Sequence, residues 1–414
     1  MEQLQFTLEK EFFVGLFKEN KENAFAQLME KILNQVLVAE SDAVIGAEPY
    51  ERCEGRMDSR NGFRERSLNL RIGKLTLKVP RHRNVPFKTM LFDEYQRNEQ
   101  ALIMTMMELV VQGVATRNVQ KITEQLCDTP FSKSMVSDLC KRIEVPVENF
   151  RTRSLKQDYP FLMVDAIYFK HRENGHAVSK AFMVALGINQ EGYKEILGFD
   201  LYDREAEDTW TAFLTGLKER GLTGVDLITS DAHTGLRTAI QKCFPQVPWQ
   251  RCQFHFKKNI LDQVKKKDRA ALSMLLRDMF DATSIEEARR LRDQILQDYQ
   301  PRDPDAMRCL EEGFEDSMSV LSIPLLYRKT LRTSNMLERE NRELRKRQKP
   351  IGLFENKGSL LRLMGAVLLD DHEDWAKRSR SFRMEEYYQK RTSVKPKLET
   401  LASGQVPGKF APLG

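Results

Sequence analysis

Between residues 7 and 45 the apolar positions recur three and four apart: Phe25, Leu28, Met29, Ile32, Val36 and Ala39 form one stripe. That spacing predicts an amphipathic helix, which Gly46 and Pro49 bring to an end. The period then drops to two. Leu68, Leu70 and Ile72 alternate with polar neighbours, Gly73-Lys74 offers a Gly-X turn, and Leu75, Leu77 and Val79 alternate back. A β-hairpin is expected, with one apolar face and with Arg66, Arg71, Lys74 and Lys78 on or near the other. From 98 to 145 helical spacing returns in three segments. The second carries Val119, Ile122 and Leu126 inward. After CDTPF, Ser132 or Ser134 caps a third, with Val136, Leu139 and Ile143 inward and Lys133, Ser137, Lys141 and Arg142 outward. Helix, short turn, helix with a polar outer face is the form of a helix-turn-helix, although an ordinary three-helix bundle reads the same way.

Past the basic linker RTRSLKQDYP the pattern becomes strand-like. FLMVDAIYFK, KAFMVALGIN and KEILGFDLYD read as three antiparallel strands. A helix follows, with Trp210, Phe213, Leu214 and Leu217 at helical spacing and Gly221 as its stop. VDLITSD is a fourth strand, HTGLRTAIQKCF a helix, PWQRCQF a fifth strand, and a helix runs from His255 to about Lys267. Three antiparallel strands, then helix, strand, helix, strand, helix is the order of an RNase H-like fold, a mixed five-stranded sheet with helices on its faces. Residues 268–328 are polar, helical and strand-free, with Leu272, Leu275, Leu276 and Met279 as one stripe and Ala288, Leu291 and Ile295 as another. They are expected to be an all-helical insertion, after which a last helix runs from about Asn335 to Arg347. The Pro/Gly-rich end, KPKLETLASGQVPGKFAPLG, has no period and is expected to be mobile. The resulting division is a helical segment at 1–48, a basic hairpin region at 49–92 and a helix-turn-helix domain at 93–157. A catalytic core follows at 158–267 and 329–375, split by the insertion at 268–328, and then a tail at 376–414.

Composition narrows the class. The 414 residues are 41% hydrophobic, enough for large cores. No apolar run approaches the roughly 20 residues of a membrane span. The N-terminus lacks the plan of a signal peptide, so a cytoplasmic protein is expected. Six scattered cysteines show no disulfide spacing. Net charge is only +6, yet nine Lys/Arg between Arg56 and Arg83, Arg64 among them, face just Asp58 and Glu65. Arg339 to Lys349 is a second basic block, which includes Lys346. Such patches are the footprint of a polyanion, or else a merely basic solvated surface.

Two acids interrupt apolar strands. Asp165 lies inside FLMVDAIYF and Asp231 ends VDLITSD. A buried isolated carboxylate is costly, so each needs a cation or strong donors. In this fold the first and fourth strands are parallel neighbours, which sets the two acids side by side and favours a hard divalent cation between them. Glu338, in the first turn of the last helix with Ser334 or Asn335 as cap, is placed to be a third ligand for Mg²⁺. Two such ions about 3.5–4 Å apart drive in-line phosphoryl displacement. Either aspartate alone reads as well as a strand-edge residue or a helix cap. Asn341, Arg342 and Arg345 share the face of Glu338, while Glu340 and Glu343 read as solvated or ion-paired. Cys252 and His255 form a lone CxxH, a weak zinc signal without two more ligands. His255 is a candidate to face the metal pocket, or simply to start a helix, and His233 to touch a phosphate. Trp210 reads as core.

The pieces VDAIYFK, SDAHTGL, QRCQFHFKKN and TSNMLERENRELRKR, in this order, together with RNGFRERSLNLRIGKLTLKVPR upstream, resemble the Mutator-type insertion-sequence transposases of bacteria. The resemblance spans roughly residues 50 to 375. It implies a DNA transposase with an Asp-Asp-Glu triad at Asp165, Asp231 and Glu338, and it includes Cys252 and His255 in the family pattern. Ala232 stands where that pattern has glycine, which leaves the acid untouched. Two Mg²⁺ ions, with Mn²⁺ as a substitute, would serve strand nicking and then transfer of a 3′-hydroxyl at the terminal inverted repeats. Pairing two element ends implies at least a homodimer, with the N-terminal amphipathic helix of segment 1–48 expected in part of its interface, and the resemblance also suggests a circular excised intermediate. A nuclease or resolvase that cuts without joining, and a DNA-binding regulator derived from a transposase, stand as alternatives.

Overall fold

A computed structural model of the chain describes residues 24–47, 51, 56–70, 73–89, 107, 109, 111 and 141–405. They belong to two compact units, Met1–Arg142 and Ile143–Gly414.

In the first unit a long helix, α1 (Ala24–Ile45), packs on an antiparallel pair, β1 (Arg60–Leu70) and β2 (Gly73–His82). The face that α1 turns to the hairpin is Ala26, Met29, Leu33 and Leu37, only partly the expected stripe. Leu28, Ile32, Val36 and Ala39 are half-buried. The helix is apolar over most of its circumference, so periodicity alone does not choose its inner face. Glu30 Oε2 and Asn34 Oδ1 accept the backbone N–H groups of Thr76 (2.9 Å) and Lys78 (2.7 Å), which satisfies the open edge of β2. Leu70 pairs with Gly73, Leu68 with Leu75 and Arg66 with Leu77. Gly73 and Lys74 therefore begin the second strand and do not form the turn. Residues opposite one another share a face, so Arg64 and Arg66 lie on the side of Leu77 and Val79, and Arg66 is not on the polar side. The expected helix-turn-helix, with Lys133 and Ser137, lies outside the described residues, as does Arg71.

A short 3₁₀ turn, Lys141–Ile143, spans the boundary, and the second unit begins with α2 (Glu144–Thr152). The sheet then forms from β3 (Phe161–Glu173), β4 (His176–Ile188), β5 (Lys194–Tyr202), β6 (Leu227–Ser230) and β7 (Trp249–Arg251), in the spatial order β5-β4-β3-β6-β7. β4 is antiparallel to both β3 and β5, whereas β6 and β7 run parallel to β3. The mixed five-stranded sheet flanked by helices is as expected from the strand order. One face buries Leu162, Val164 and Met183 under α3 (Glu207–Glu219) and α4 (Thr234–Cys243), through Trp210, Leu214 and Ile240. Trp210 is fully buried core. The turn after α3 needs a glycine: Gly221 has φ +100°, and a Cβ there would meet Leu155 O at 2.5 Å.

After β7 comes α5 (Gln253–Asp262), followed by a strand-free run of α6 (Arg269–Phe280), α7 (Ile285–Tyr299), α8 (Pro304–Ser317) and α9 (Leu325–Leu331). Leu272, Leu276 and Met279 of α6 join Ala288, Ile295, Leu310 and Phe314 around Phe256 and Ile260 of α5. Leu275 is 38% exposed, outside that core. The chain returns as α10 (Asn335–Gln348), and α11 (Lys357–Lys377) covers the other face of the sheet at β5 and β3.

The end of the chain departs from expectation. Residues Met384–Gly404 form a helix, α12, that runs through Pro396 and buries Met384, Tyr387, Val394, Leu398 and Ala402. That stripe begins before the Pro/Gly-rich stretch, so a reading that starts at Lys395 sees only its second half. Tyr387 and Arg391 hold the buried carboxylate of Asp226 at 2.8 and 2.7 Å. The next residue after α12, Gln405, finishes the sheet edge. Its Oε1 accepts Trp249 N (2.8 Å) and its Nε2 donates to Trp249 O (2.9 Å), pairing with β7 as a strand would. No helix among the described residues is long and apolar enough to cross a membrane.

Candidate active site

Strand register places the first two acids. Met163 of β3 pairs with Thr229 of β6, and two residues further on each strand stand Asp165 and Asp231. Asp231 follows the carboxyl end of β6, and Asp165 lies within β3, just beyond the stretch of that strand that pairs with β6. Asp165 Oδ1 accepts the N–H of Ala166 at 2.8 Å. Its Oδ2 accepts Asn341 Nδ2 at 2.6 Å. Burial, and then the negative charge of Asp231, push the Asp165 carboxyl up to about 7.

The third acid is anchored by the strands as well. Where the chain returns from α9, Thr229 Oγ1 donates to Leu331 O (2.8 Å) and Gln253 N to Arg332 O (2.9 Å). Ser334 is the N-cap residue of α10, one of the two caps expected. Its hydroxyl lies 3.0 Å from Glu338 Oε1 and 3.3 Å from Cys252 Sγ, and its N–H points to that sulfur at 3.4 Å. Glu338 therefore sits in the first turn of α10, facing the end of β6.

His255, on the first turn of α5, joins the acids. Its Nδ1 is in direct contact with Asp231 Oδ1 and lies 3.7 Å from Glu338 Oε1. The bond to Asp231, with a second to Cys252, raises the imidazole to about 10, so the ring is a cation at neutral pH. One chain of contacts thus runs Asp165, Asn341, α10, Glu338, His255, Asp231.

The donor atoms bear on which ion the site suits. Among the described residues, the group whose ligand atoms lie within 4.8 Å of one another is Asp231, Cys252 and His255. The Cys252 sulfur is fully buried and already accepts from Ser334. A closed zinc site would need a fourth protein ligand. The carboxylates suit a hard cation better. Two carboxylates brought together on adjacent strands, one of them buried enough to resist ionisation, are what a divalent cation relieves. Among the described residues Asn341 Oδ1 is also buried without a hydrogen-bond partner, an oxygen available to a bound ion or its water. These residues fit a divalent cation at Asp165.

The remaining candidates divide. His233 is the N-cap of α4, its Nδ1 accepting Leu236 N at 3.4 Å, so that nitrogen is occupied by the helix. Arg342, Arg345 and Lys346 are exposed on α10, with Lys346 3.5 Å from Glu343. Arg64, Lys74 and Lys78 are exposed on the hairpin, Arg66 is half-buried, and Lys141 and Arg142 are exposed on the 3₁₀ turn. Glu343 is ion-paired as expected. Glu340 is not solvated: it is 8% exposed, and burial together with Asp371 pushes its carboxyl up. Residues that sequence reasoning missed include Ser334 as a bridge and Asn341 as the donor to Asp165. Glu205 is another. It precedes α3, and burial raises its carboxyl while the nearby His233 opposes this and Asp231 adds to it. A glutamate in a loop carries no sequence signal that would have marked it.

Residues 3–378 match the family described as Transposase, Mutator family. The transposase for insertion sequence element IS256 in transposon Tn4001 of Staphylococcus aureus is 41% identical over 386 residues, covering 92% of this chain and 99% of that protein. The transposase for insertion sequence element ISRM5 of Rhizobium meliloti is 38% identical, covering 87% and 90% respectively. The transposase for insertion sequence element IS1081 of Mycobacterium tuberculosis is 34% identical, covering 86% and 87%.

Proposed function

Because the chain belongs to the Mutator family of transposases, we propose that it moves an insertion sequence by cutting and joining DNA at Asp165, Asp231 and Glu338. The catalytic unit is read as RNase H-like. The observation that supports this is the β3–β6 register, which brings Asp165 and Asp231 onto neighbouring strands, with Glu338 of α10 3.7 Å from His255, the residue that touches Asp231. Mg²⁺, or Mn²⁺ in its place, would be held by these three acids and would activate the attacking oxygen and stabilise the leaving one.

The side chains themselves do the positioning. Asn341 and the Ala166 N–H fix both oxygens of Asp165. His255 bridges two of the acids, its Nδ1 in contact with Asp231 Oδ1 and 3.7 Å from Glu338 Oε1. Arg342 and Arg345, exposed one and two turns beyond Glu338 on α10, are suited to hold phosphates next to the acids. The hairpin cations Arg64, Lys74 and Lys78 would add contacts that position the DNA without reading its sequence. Water is the nucleophile for nicking, and the freed 3′-hydroxyl for joining. Pairing two element ends requires at least a dimer, to which α1 is proposed to contribute.

The test is strand transfer of a labelled element end with Mg²⁺. Asp165→Asn, Asp231→Asn and Glu338→Gln are each expected to abolish joining and to retain end binding. Full joining by any of them would refute the triad, and nicking without joining by the native chain would favour a nuclease.

A further inference from the structure

The side of α5 next to the acids carries an aromatic ring that the fold does not use. Phe254 is 52% exposed, between Gln253 and Phe256, which are 3% and 0% exposed. Its ring meets His255 edge to face, with centroids 5.3 Å apart and planes at 74°. His255 is the residue that touches Asp231 and stands 3.7 Å from Glu338. The ring is therefore one side chain removed from the acids, and half of it faces solvent. A single exposed apolar side chain is ordinary in itself; what sets Phe254 apart is its contact with the residue that touches Asp231.

Exposed cations occur on both helices that carry the site: Lys258 one turn along α5 from Phe254, and Arg342 one turn beyond Glu338 on α10. Cations that track a phosphate backbone, with an aromatic ring set among them, form the composition that grips unpaired nucleotides. The charge holds phosphate and the ring holds the face of a base, whatever its sequence. In an intact duplex both faces of a base are already covered, so the ring gains a partner only where a base leaves the stack. We propose that Phe254 stacks on a base displaced from the duplex beside the scissile phosphate, and so fixes the DNA end against the acids. This rests on the transposase reading above. A ring that served only to hold His255 would affect rate without sensing any base.

The test uses the full chain and a pre-nicked duplex of the element's own end, with 2-aminopurine placed in turn at the last positions flanking the nick. Ca²⁺ replaces Mg²⁺ for binding, and joining is measured in parallel with Mg²⁺. For the native chain, fluorescence is expected to rise at one position as that base unstacks. In Phe254→Ala the position-specific signal should vanish and end affinity fall about tenfold. Phe254→Trp should restore the affinity and quench the probe. Because Phe254 is exposed, both variants should melt with the native chain. If native and Phe254→Ala give the same signal and affinity while the native chain joins ends, stacking is refuted and the transposase reading stands. If the native chain neither binds nor joins, both fall together.

Discussion

Replacing Asn341 with alanine removes the amide that meets Asp165 Oδ2 at 2.6 Å. It also removes the buried Oδ1, which has no hydrogen-bond partner among the described residues. A hydrogen bond to an ionised group contributes about 1.5–3 kcal/mol. At about 1.4 kcal/mol per decade this amounts to roughly tenfold to a hundredfold in the equilibrium that holds Asp165 in its binding geometry. Outer partners of metal ligands show losses of the same size, about 10–100-fold in metal affinity. The expected result is a rise of that order in the Mg²⁺ concentration for half-maximal joining, with much of the rate recovered at saturating metal. Free Mn²⁺, followed by its paramagnetic resonance signal, reads the same loss without catalysis. End binding should be retained, since the exposed cations of α10 are untouched. An unchanged metal requirement together with a lowered melting temperature would refute the reasoning, because Asn341 would then hold α10 to the sheet and do nothing for Asp165.

Two further predictions concern the fold. His372 on α11 packs against Phe150 with ring centroids 5.0 Å apart, and burial pulls its imidazole down to about 4, with Arg153 adding to the effect. The folded pKa lies below the unfolded value of about 6.5, so the contribution of His372 is intact above about pH 6.5 and is lost as pH falls towards 4. The slope is roughly 1 kcal/mol per pH unit after allowance for screening by water. His372→Phe should flatten this part of a urea-denaturation profile, and an unaltered slope would count against it. Gln405→Ala leaves Trp249 N without its 2.8 Å partner at the sheet edge. A cost of about 1–3 kcal/mol is expected, visible as a lower denaturation midpoint and faster amide exchange at Trp249, and unchanged exchange there would contradict the pairing.

What the sequence disclosed, and what it withheld, follows from the range of each interaction. Asp165 and Asp231 stood out because a charge inside an apolar strand is costly wherever the strand goes, and adjacent parallel strands then bring the two together by register alone. The hairpin shows the limit of such reasoning. A turn at Gly73-Lys74 would pair Ile72 with Leu75, but Leu68 pairs with Leu75 instead. The two registers differ by an even number of residues and so leave the same leucines on the same face, and alternation cannot tell them apart. Arg66, read as polar-side, is carried by that same parity to the face of Leu77. Glu340 looked like a surface residue because the groups that surround it, Asp371 on α11 and Lys194 on β5, lie far along the chain. The helix of residues 384–404 was hidden in the same way, since Tyr387 and Arg391 find their acid in Asp226, over 160 residues away. Glu338 falls between these cases. Its position in a first turn was legible, yet what aims that turn at the strand ends is a set of bonds closing a loop of about a hundred residues, from Thr229 to Leu331 and from Cys252 to Ser334. A break in those bonds would leave Glu338 in the chain and free its turn from the strands, so the geometry at Glu338 depends on the docking of the helical segment that precedes it.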